Sequence, residues 1–181
     1  MAQGYHAAAM DDIAERAGVS KPVLYQHFPS KLDLYLALLD QHSGDLLGAV
    51  HRALSATKDN KTRVAAVIAA YFEFVDRDGE PFRLVFESDL ANDDAVRERV
   101  DAVTRACAQS IAEVIREDTG LPTDEAELLA VALAGMAQVS ARYWITQGRR
   151  IPRQAADRLV FQLSWRGIRG FPKVSLPTGN G

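Results

Sequence analysis

The chain has 181 residues, 48% of them hydrophobic, and a formal net charge of −3 at pH 7. That length accommodates one compact domain, or a small module joined to a larger one, and the apolar content excludes a disordered chain. The acidic balance excludes a general polyanion binder, because non-specific affinity for nucleic acid depends on many Lys and Arg contacts to phosphates.

The sequence predicts a protein of the reducing cytoplasm. Its one cysteine, Cys107, excludes an internal disulfide. We expect no membrane partner, because no apolar run is seen to approach the ~20 residues that span a bilayer. The first residues also lack the basic and apolar regions of a signal peptide.

The first predicted elements are two short helices joined by a glycine turn. The first helix is expected over residues 10–17, and Gly18 ends it because glycine readily adopts the left-handed conformation after a helix. Ser20 is expected to cap the second helix, whose first turn tolerates Pro22. Two such helices followed directly by a third form the helix-turn-helix pattern, in which the second helix enters the DNA major groove.

Five side chains on or just after the second helix suit contact with DNA. Lys21 can reach guanine edges or phosphate, and Gln26 and His27 offer hydrogen bonds near the backbone. Tyr25 carries a hydroxyl on a rigid ring, and Lys31 lies in the first turn of the next helix, where backbone N–H groups attract phosphate. The alternative is an ordinary interior helix whose aromatic residues belong to the core.

The rest of the sequence predicts a run of amphipathic helices. Ser30 and Asp33 have the spacing of a capping box for a long helix that ends near residue 56. A short helix is expected to open at Pro81. Longer helices with apolar residues at helical spacing are predicted over residues 62–77, 93–119, 123–147 and 152–170.

From Gly4 to about residue 36, the sequence resembles the N-terminal signature of the TetR (tetracycline repressor) family. The matching segments recur in order and at the right spacing: Ile13-Ala14, Ala17-Gly18-Val19-Ser20, Tyr25-Gln26-His27-Phe28 and Ser30-Lys31. The resemblance implies an all-helical homodimer with a small-molecule pocket in its C-terminal domain, whose occupation changes DNA affinity. It also implies which residues meet DNA: Lys21, Pro22, Val23 and Tyr25 at the groove, with Tyr25, His27 and Lys31 near phosphates.

The head departs from the family pattern in one respect. The family normally has a full helix before the position of Gly4, whereas nine residues precede Met10 here, so we expect an incomplete first helix. Residues 1–40 also carry a net charge of −2, from three basic and five acidic side chains. These features favour, as the alternative function, a helical ligand-binding dimer with lost or weakened DNA binding.

Seven side chains along the later helices are candidates for the ligand pocket: Tyr71, Phe74, Phe82, Phe86, Met136, Tyr143 and Trp144. Taken singly, each aromatic residue on an amphipathic helix is more often simply a core residue. As a group they predict a pocket for a small, largely apolar ligand.

The predicted helix over residues 123–147 is apolar on two faces, and the last helix has a similar pattern. One face carries Leu129, Leu133 and Met136, and the other carries Leu128, Val131 and Val139. Helices with two apolar faces are interior or interfacial. A monomer core would explain both helices, but the resemblance implies a dimer interface there. We therefore expect a homodimer through the last two helices, with recognition helices about 34–36 Å apart.

The sequence thus predicts an all-α protein with a DNA-binding head in residues 1–40. A ligand-binding and dimerisation bundle in residues 41–171 and a flexible tail in residues 172–181 complete the expected organisation. The predicted function is a transcriptional repressor that a small-molecule ligand releases from double-stranded operator DNA. We expect no enzyme activity, metal or cofactor, because no Gly-rich phosphate loop or metal-ligand spacing of histidines is found and Cys107 lies in an apolar stripe.

Overall fold

A computed structural model describes residues 9–77, 90 and 93–167 of the chain. The all-α prediction is confirmed, with a helix-turn-helix head followed by a helical bundle. The helix expected from Pro81, with Phe82 and Phe86, and the tail over residues 172–181 lie outside the described residues. The described helices are α1 (Met10–Ala17), α2 (Lys21–His27), α3 (Lys31–Ser55), α4 (Asn60–Asp76), α5 (Asp94–Thr119), α6 (Thr123–Thr146) and α7 (Arg153–Arg166).

The turn between α1 and α2 is built on Gly18, as predicted. Gly18 has φ 67°, and the next residue, Val19, donates its N–H to the carbonyl of Ala14 over 3.0 Å. This is a Schellman end, which satisfies a carbonyl that the helix itself leaves free. Ser20 occupies the N-cap position of α2, but its side chain makes no capping hydrogen bond, so that part of the prediction was wrong.

A small hydrophobic cluster holds the head together. Met10, Ala14 and Leu24 are buried in it, and three partly buried side chains pack against them: Ile13, Phe28 and Leu34. Burial of a leucine side chain contributes about 1.5–3 kcal/mol, so Leu24 is the main anchor of α2. Every other residue of α2 is exposed, so this one anchor orients the whole helix.

Helix α3 connects the head to the body of the protein. Its start has the predicted capping box, in which the Asp33 N–H donates to Ser30 Oγ over 3.1 Å and the Ser30 N–H donates to Asp33 Oδ2 over 3.0 Å. Leu34 packs on the head cluster, whereas Tyr35 belongs to the core of the body. The division expected at residue 40 therefore falls inside a continuous helix of 25 residues.

The body is organised around α4, which packs against α3, α6 and α7, while α5 packs against α3 and α6. Most of the apolar side chains of α4 are buried, from Val67 to Val75 and including Phe74, whereas Val64 is half-buried. Helix α4 is thus enclosed on most sides. Its N-cap is Asp59, whose carboxylate accepts the Thr62 N–H over 2.8 Å.

Helix α6 is apolar and buries a row of small side chains. Five alanines at spacings of three and four residues are buried on one face, and such small side chains allow close approach of neighbouring helices: Ala126, Ala130, Ala134, Ala137 and Ala141. Contrary to the sequence expectation, α6 is apolar and long enough to cross a membrane by length and composition, a test that core helices also pass. The buried alanines account for part of that composition.

Candidate DNA-binding face and ligand cavity

The DNA-binding residues predicted on α2 form a continuous exposed surface. Six of its seven residues are exposed around the buried Leu24: Lys21, Pro22, Val23, Tyr25, Gln26 and His27. Val23 and Tyr25 keep 42% and 46% of their surface in water, so both side chains are available for contact with another molecule. Lys31, half-buried, lies in the first turn of α3. The geometry therefore gathers these seven residues on the head.

The electrostatics of this surface are set by a close ion pair. Lys21 Nζ lies 2.5 Å from Asp11 Oδ2 on α1. The hydrogen bond to Asp11 raises the pKa of Lys21 and so stabilises the charge that a lysine already carries at neutral pH. At the start of α3, the N–H groups of Ser30 and Asp33 already donate within the capping box. Those two groups are not available to the phosphate attraction expected there.

A cavity of about 500 Å³ lies in the body, between the ends of α3 and α5 and the helices α4, α6 and α7. Apolar side chains form most of its wall. Polar groups cluster where α4 begins and α5 ends, at Asn60, Arg63, Asp118 and Thr119. Its lining residues include Leu54, Arg63, Asp118, Leu129, Met136 and Trp165.

The predicted ligand-binding residues do not share one location. Met136 lines the cavity. Tyr71, Phe74 and Trp144 are buried in the hydrophobic core and are not among its lining residues, and the exposed Tyr143 keeps 66% of its surface in water. Sequence reasoning noted Leu129 and Leu133 as one face of α6 with Met136, but it did not connect that face with the cavity, which all three line.

One of these buried aromatic residues, Trp144, has partners that explain its position. The indole N–H of Trp144 donates to the Ile151 carbonyl over 2.8 Å, and its ring centroid lies 5.8 Å from that of Phe72. Burial raises the pKa of Tyr71 well above its ordinary value. Cys107 is buried as well, and its burial raises the pKa of the thiol, which disfavours the thiolate form.

Arg63 ties the cavity wall to the end of α3. Its Nε donates to the carbonyls of Leu54 over 2.9 Å and Thr57 over 2.7 Å. Its Nη1 lies 3.1 Å from both Asn60 Oδ1 and Asp118 Oδ2. The side chain is only 14% exposed, so these contacts are made in a partly desolvated place where they are stronger than at the surface. One side chain thus joins α3, α4 and α5 beside the cavity.

The last two helices expose a large apolar surface. It comprises Leu128, Val131, Val139 and Tyr143 of α6 and Leu159 and Trp165 of α7. Leu128 and Val139 keep 71% and 65% of their surface in water. Apolar patches of this kind mark contact surfaces in folded proteins.

Comparison with known proteins shows which family the chain belongs to. The family of bacterial regulatory proteins named tetR matches residues 1–38, and the Tetracyclin repressor-like C-terminal domain matches residues 60–167. The HTH-type transcriptional activator FasR of Mycolicibacterium smegmatis is 44% identical over 170 residues, spanning 94% of this chain and 78% of that protein. An uncharacterised HTH-type transcriptional regulator of Mycobacterium tuberculosis is 32% identical over 170 residues, spanning 90% and 69%.

Solved structures share the fold. A tetR-family transcriptional regulator from Streptomyces coelicolor aligns with a TM-score of 0.71 at 30% identity, covering 90% of this chain and 72% of that one. The regulator FadR from Bacillus subtilis, solved in complex with stearoyl-CoA, aligns with a TM-score of 0.75 at 19% identity, covering 91% of both chains. The chain belongs to the tetR family of bacterial regulatory proteins and is a DNA-binding transcriptional regulator.

Proposed function

We propose that α2 reads operator DNA in the major groove. The observation that carries this proposal is the exposure of every α2 side chain except Leu24, directly after a Gly18 turn that sets the direction of the helix. In that arrangement Lys21, Pro22, Val23 and Tyr25 meet the groove. Gln26, His27 and Lys31 lie nearer the phosphates, which the hydroxyl of Tyr25 also reaches from the edge of the groove. A regulator that binds genomic DNA in this way acts in the cytoplasm.

The proposed active form is a homodimer through α6 and α7. The exposed apolar side chains on these helices support it, because a second copy would remove them from water at about 25 cal/mol per Å² of apolar area. A two-fold dimer would present two α2 helices about 34–36 Å apart, one turn of DNA.

The proposed ligand is a small molecule with a long apolar chain, such as a fatty-acyl compound. A volume of about 500 Å³ falls in the usual range for ligand pockets, and the wall is mostly apolar. FadR of Bacillus subtilis, which shares the fold, binds stearoyl-CoA. The polar groups near Arg63 and Asp118 provide one end of the cavity where a polar head group would be tolerated.

Ligand and DNA are proposed to communicate through α3. Its C-terminal end lines the cavity at Leu54 and is held by Arg63, while its first turns carry the head. A ligand that changes how Arg63 holds this end would tilt α3 and shift the two heads relative to each other. Binding of ligand and of DNA would then oppose each other by the same factor, as linkage requires.

We further propose that the chain activates transcription, although the resemblance noted from the sequence implied a repressor. The support is the similarity to FasR of Mycolicibacterium smegmatis, a transcriptional activator that is 44% identical. A reporter gene placed behind the operator should therefore lose expression when this chain is deleted. Increased expression on deletion would show that the chain is a repressor.

Three substitutions test the proposed DNA-binding face. Tyr25→Ala and Lys31→Ala are expected to weaken binding about equally for all sequences, whereas Lys21→Ala should also change which base is preferred in the operator. Loss of a phosphate contact should in addition lower the salt slope of binding by about 1. The measurement is fluorescence anisotropy with an operator duplex selected from a random library, at several stated salt concentrations.

Lys58→Ala serves as the matched control, because it removes one exposed lysine outside the head and should leave DNA affinity unchanged. Uniform loss for all three head variants, without a change in base preference, would contradict the role given to Lys21. If the folded wild-type chain selects no site at all, the alternative of a ligand-binding dimer without DNA binding replaces the proposal.

A further inference from the structure

Lys21 begins α2 at the edge of the proposed DNA-binding face, and an acidic residue of α1 reaches it there. The Lys21 ammonium lies 2.5 Å from a carboxylate oxygen of Asp11, although the two side chains are 61% and 53% exposed. The neighbouring Asp12 is also exposed, but in the described part of the head it makes no hydrogen bond to Lys21. Asp11 therefore has a specific partner, whereas Asp12 contributes only its charge.

This contact changes what Lys21 offers to DNA. A free ammonium binds any phosphate and releases a counterion, which produces affinity without sequence information. An ammonium already paired with a carboxylate releases less counterion, because a phosphate must compete with Asp11 for it. Since an ammonium carries three donors, Lys21 can keep the bond to Asp11 and still donate to the acceptor edge of a guanine.

We propose that Asp11 is a specificity-determining residue, which holds Lys21 away from phosphates and aims it at a base edge. The proposal rests on the assignment of α2 as the DNA-reading helix. It gives the acidic balance of the head a function, because negative charge beside the recognition helix suppresses binding to the many non-operator sites of a genome.

The stability of the head should depend little on this pair. Exposed ion pairs generally contribute little to folding, so removal of the Asp11 charge is expected to leave the protein folded. Asp11→Asn keeps the size of the side chain and removes the charge. Asp12→Asn makes the same charge change one residue away and is the matched control.

The test compares wild type, Asp11→Asn and Asp12→Asn on an operator duplex and on a shuffled duplex over a range of salt. We expect Asp11→Asn to tighten binding to the shuffled duplex by about three- to tenfold and to steepen its salt slope by up to about 0.9. Operator binding should tighten much less, so the ratio of the two affinities falls. Asp12→Asn should strengthen both only slightly and leave the ratio nearly unchanged.

The same pair of substitutions in a Lys21→Met background identifies the cause. There, Asp11→Asn should have no larger effect than Asp12→Asn, because the cation that it releases is absent. Equal effects of the two in the wild-type background, or a persistent excess effect of Asp11→Asn without Lys21, would overturn the proposal. A wild-type chain that binds both duplexes alike would instead refute the proposed DNA reading itself.

Discussion

Replacement of Leu128 and Val139 by glutamate is expected to convert the protein to a monomer and to weaken operator binding by about 10²–10⁴-fold. Both side chains are largely exposed on the same face of α6. In the proposed dimer this face is desolvated, so two carboxylates per subunit would be buried without partners at high cost. The loss in DNA affinity follows because two linked heads bind neighbouring half-sites far more tightly than one head does alone.

Light scattering after size-exclusion chromatography measures the oligomeric state of the double variant, and anisotropy measures its operator affinity. The matched control adds the same charge on the exposed side of α5, as Ala102→Glu and Gln109→Glu, which also lie on one face of their helix. That control should remain dimeric and bind DNA. A dimeric Leu128→Glu/Val139→Glu protein would show that the interface lies elsewhere.

The second large effect concerns communication between ligand and DNA. With stearoyl-CoA at a saturating concentration for each variant, Arg63→Met is expected to reduce the change in operator affinity that this ligand causes to less than about twofold, although loss of the guanidinium from the polar end of the cavity weakens ligand binding itself. Allosteric coupling in proteins is typically about 5–150-fold, so the wild type should lie in that range. The reason is that methionine preserves much of the apolar stem of Arg63 but cannot donate to the carbonyls of Leu54 and Thr57 at the end of α3.

The experiment titrates operator DNA with and without saturating stearoyl-CoA, after calorimetry has confirmed that the ligand binds. Arg116→Met removes an exposed arginine near the end of α5 and should keep full coupling. Full coupling in a folded Arg63→Met protein would exclude Arg63 as the link. A failure of the wild type to bind stearoyl-CoA would reject that ligand, which the calorimetry reveals before the DNA titration.

The head was predictable because its features are local in sequence. Gly18 is required where the chain turns with positive φ, and the Ser30–Asp33 capping box follows from a spacing of three residues. One buried residue, Leu24, then fixes which side of a seven-residue helix faces outward. The exposure of the residues proposed to bind DNA on that helix follows from this one contact.

The cavity was not predictable in the same way, because it depends on how helices far apart in sequence are packed. Tyr71 and Trp144 are aromatic and lie on apolar faces, yet they fill the core instead of bordering the cavity. Arg63 gave no signal in the sequence, since its acceptors are backbone carbonyls that become available only where α3 ends. The face of α6 with Met136 did carry a signal, because it is apolar on a second side of the helix.

The border between head and body also depends on packing that the sequence does not show. Leu34 and Tyr35 are neighbours in sequence but belong to different hydrophobic clusters, since successive residues of an α-helix point about 100° apart. The expected border between head and body, at residue 40, falls within α3. The structure instead joins the head and the body within one continuous helix, so movement at the cavity end of α3 can be transmitted to α2.

The central claim is that two copies of α2 read DNA side by side, and a hydroxyl-radical footprint of the wild-type chain on its selected operator tests it most directly. We predict two protected regions related by two-fold symmetry, with centres about one helical turn apart, at 10–10.5 base pairs. Their occupation should rise together as the protein is titrated. A single protected region, or protection that does not depend on the operator sequence, would contradict this account.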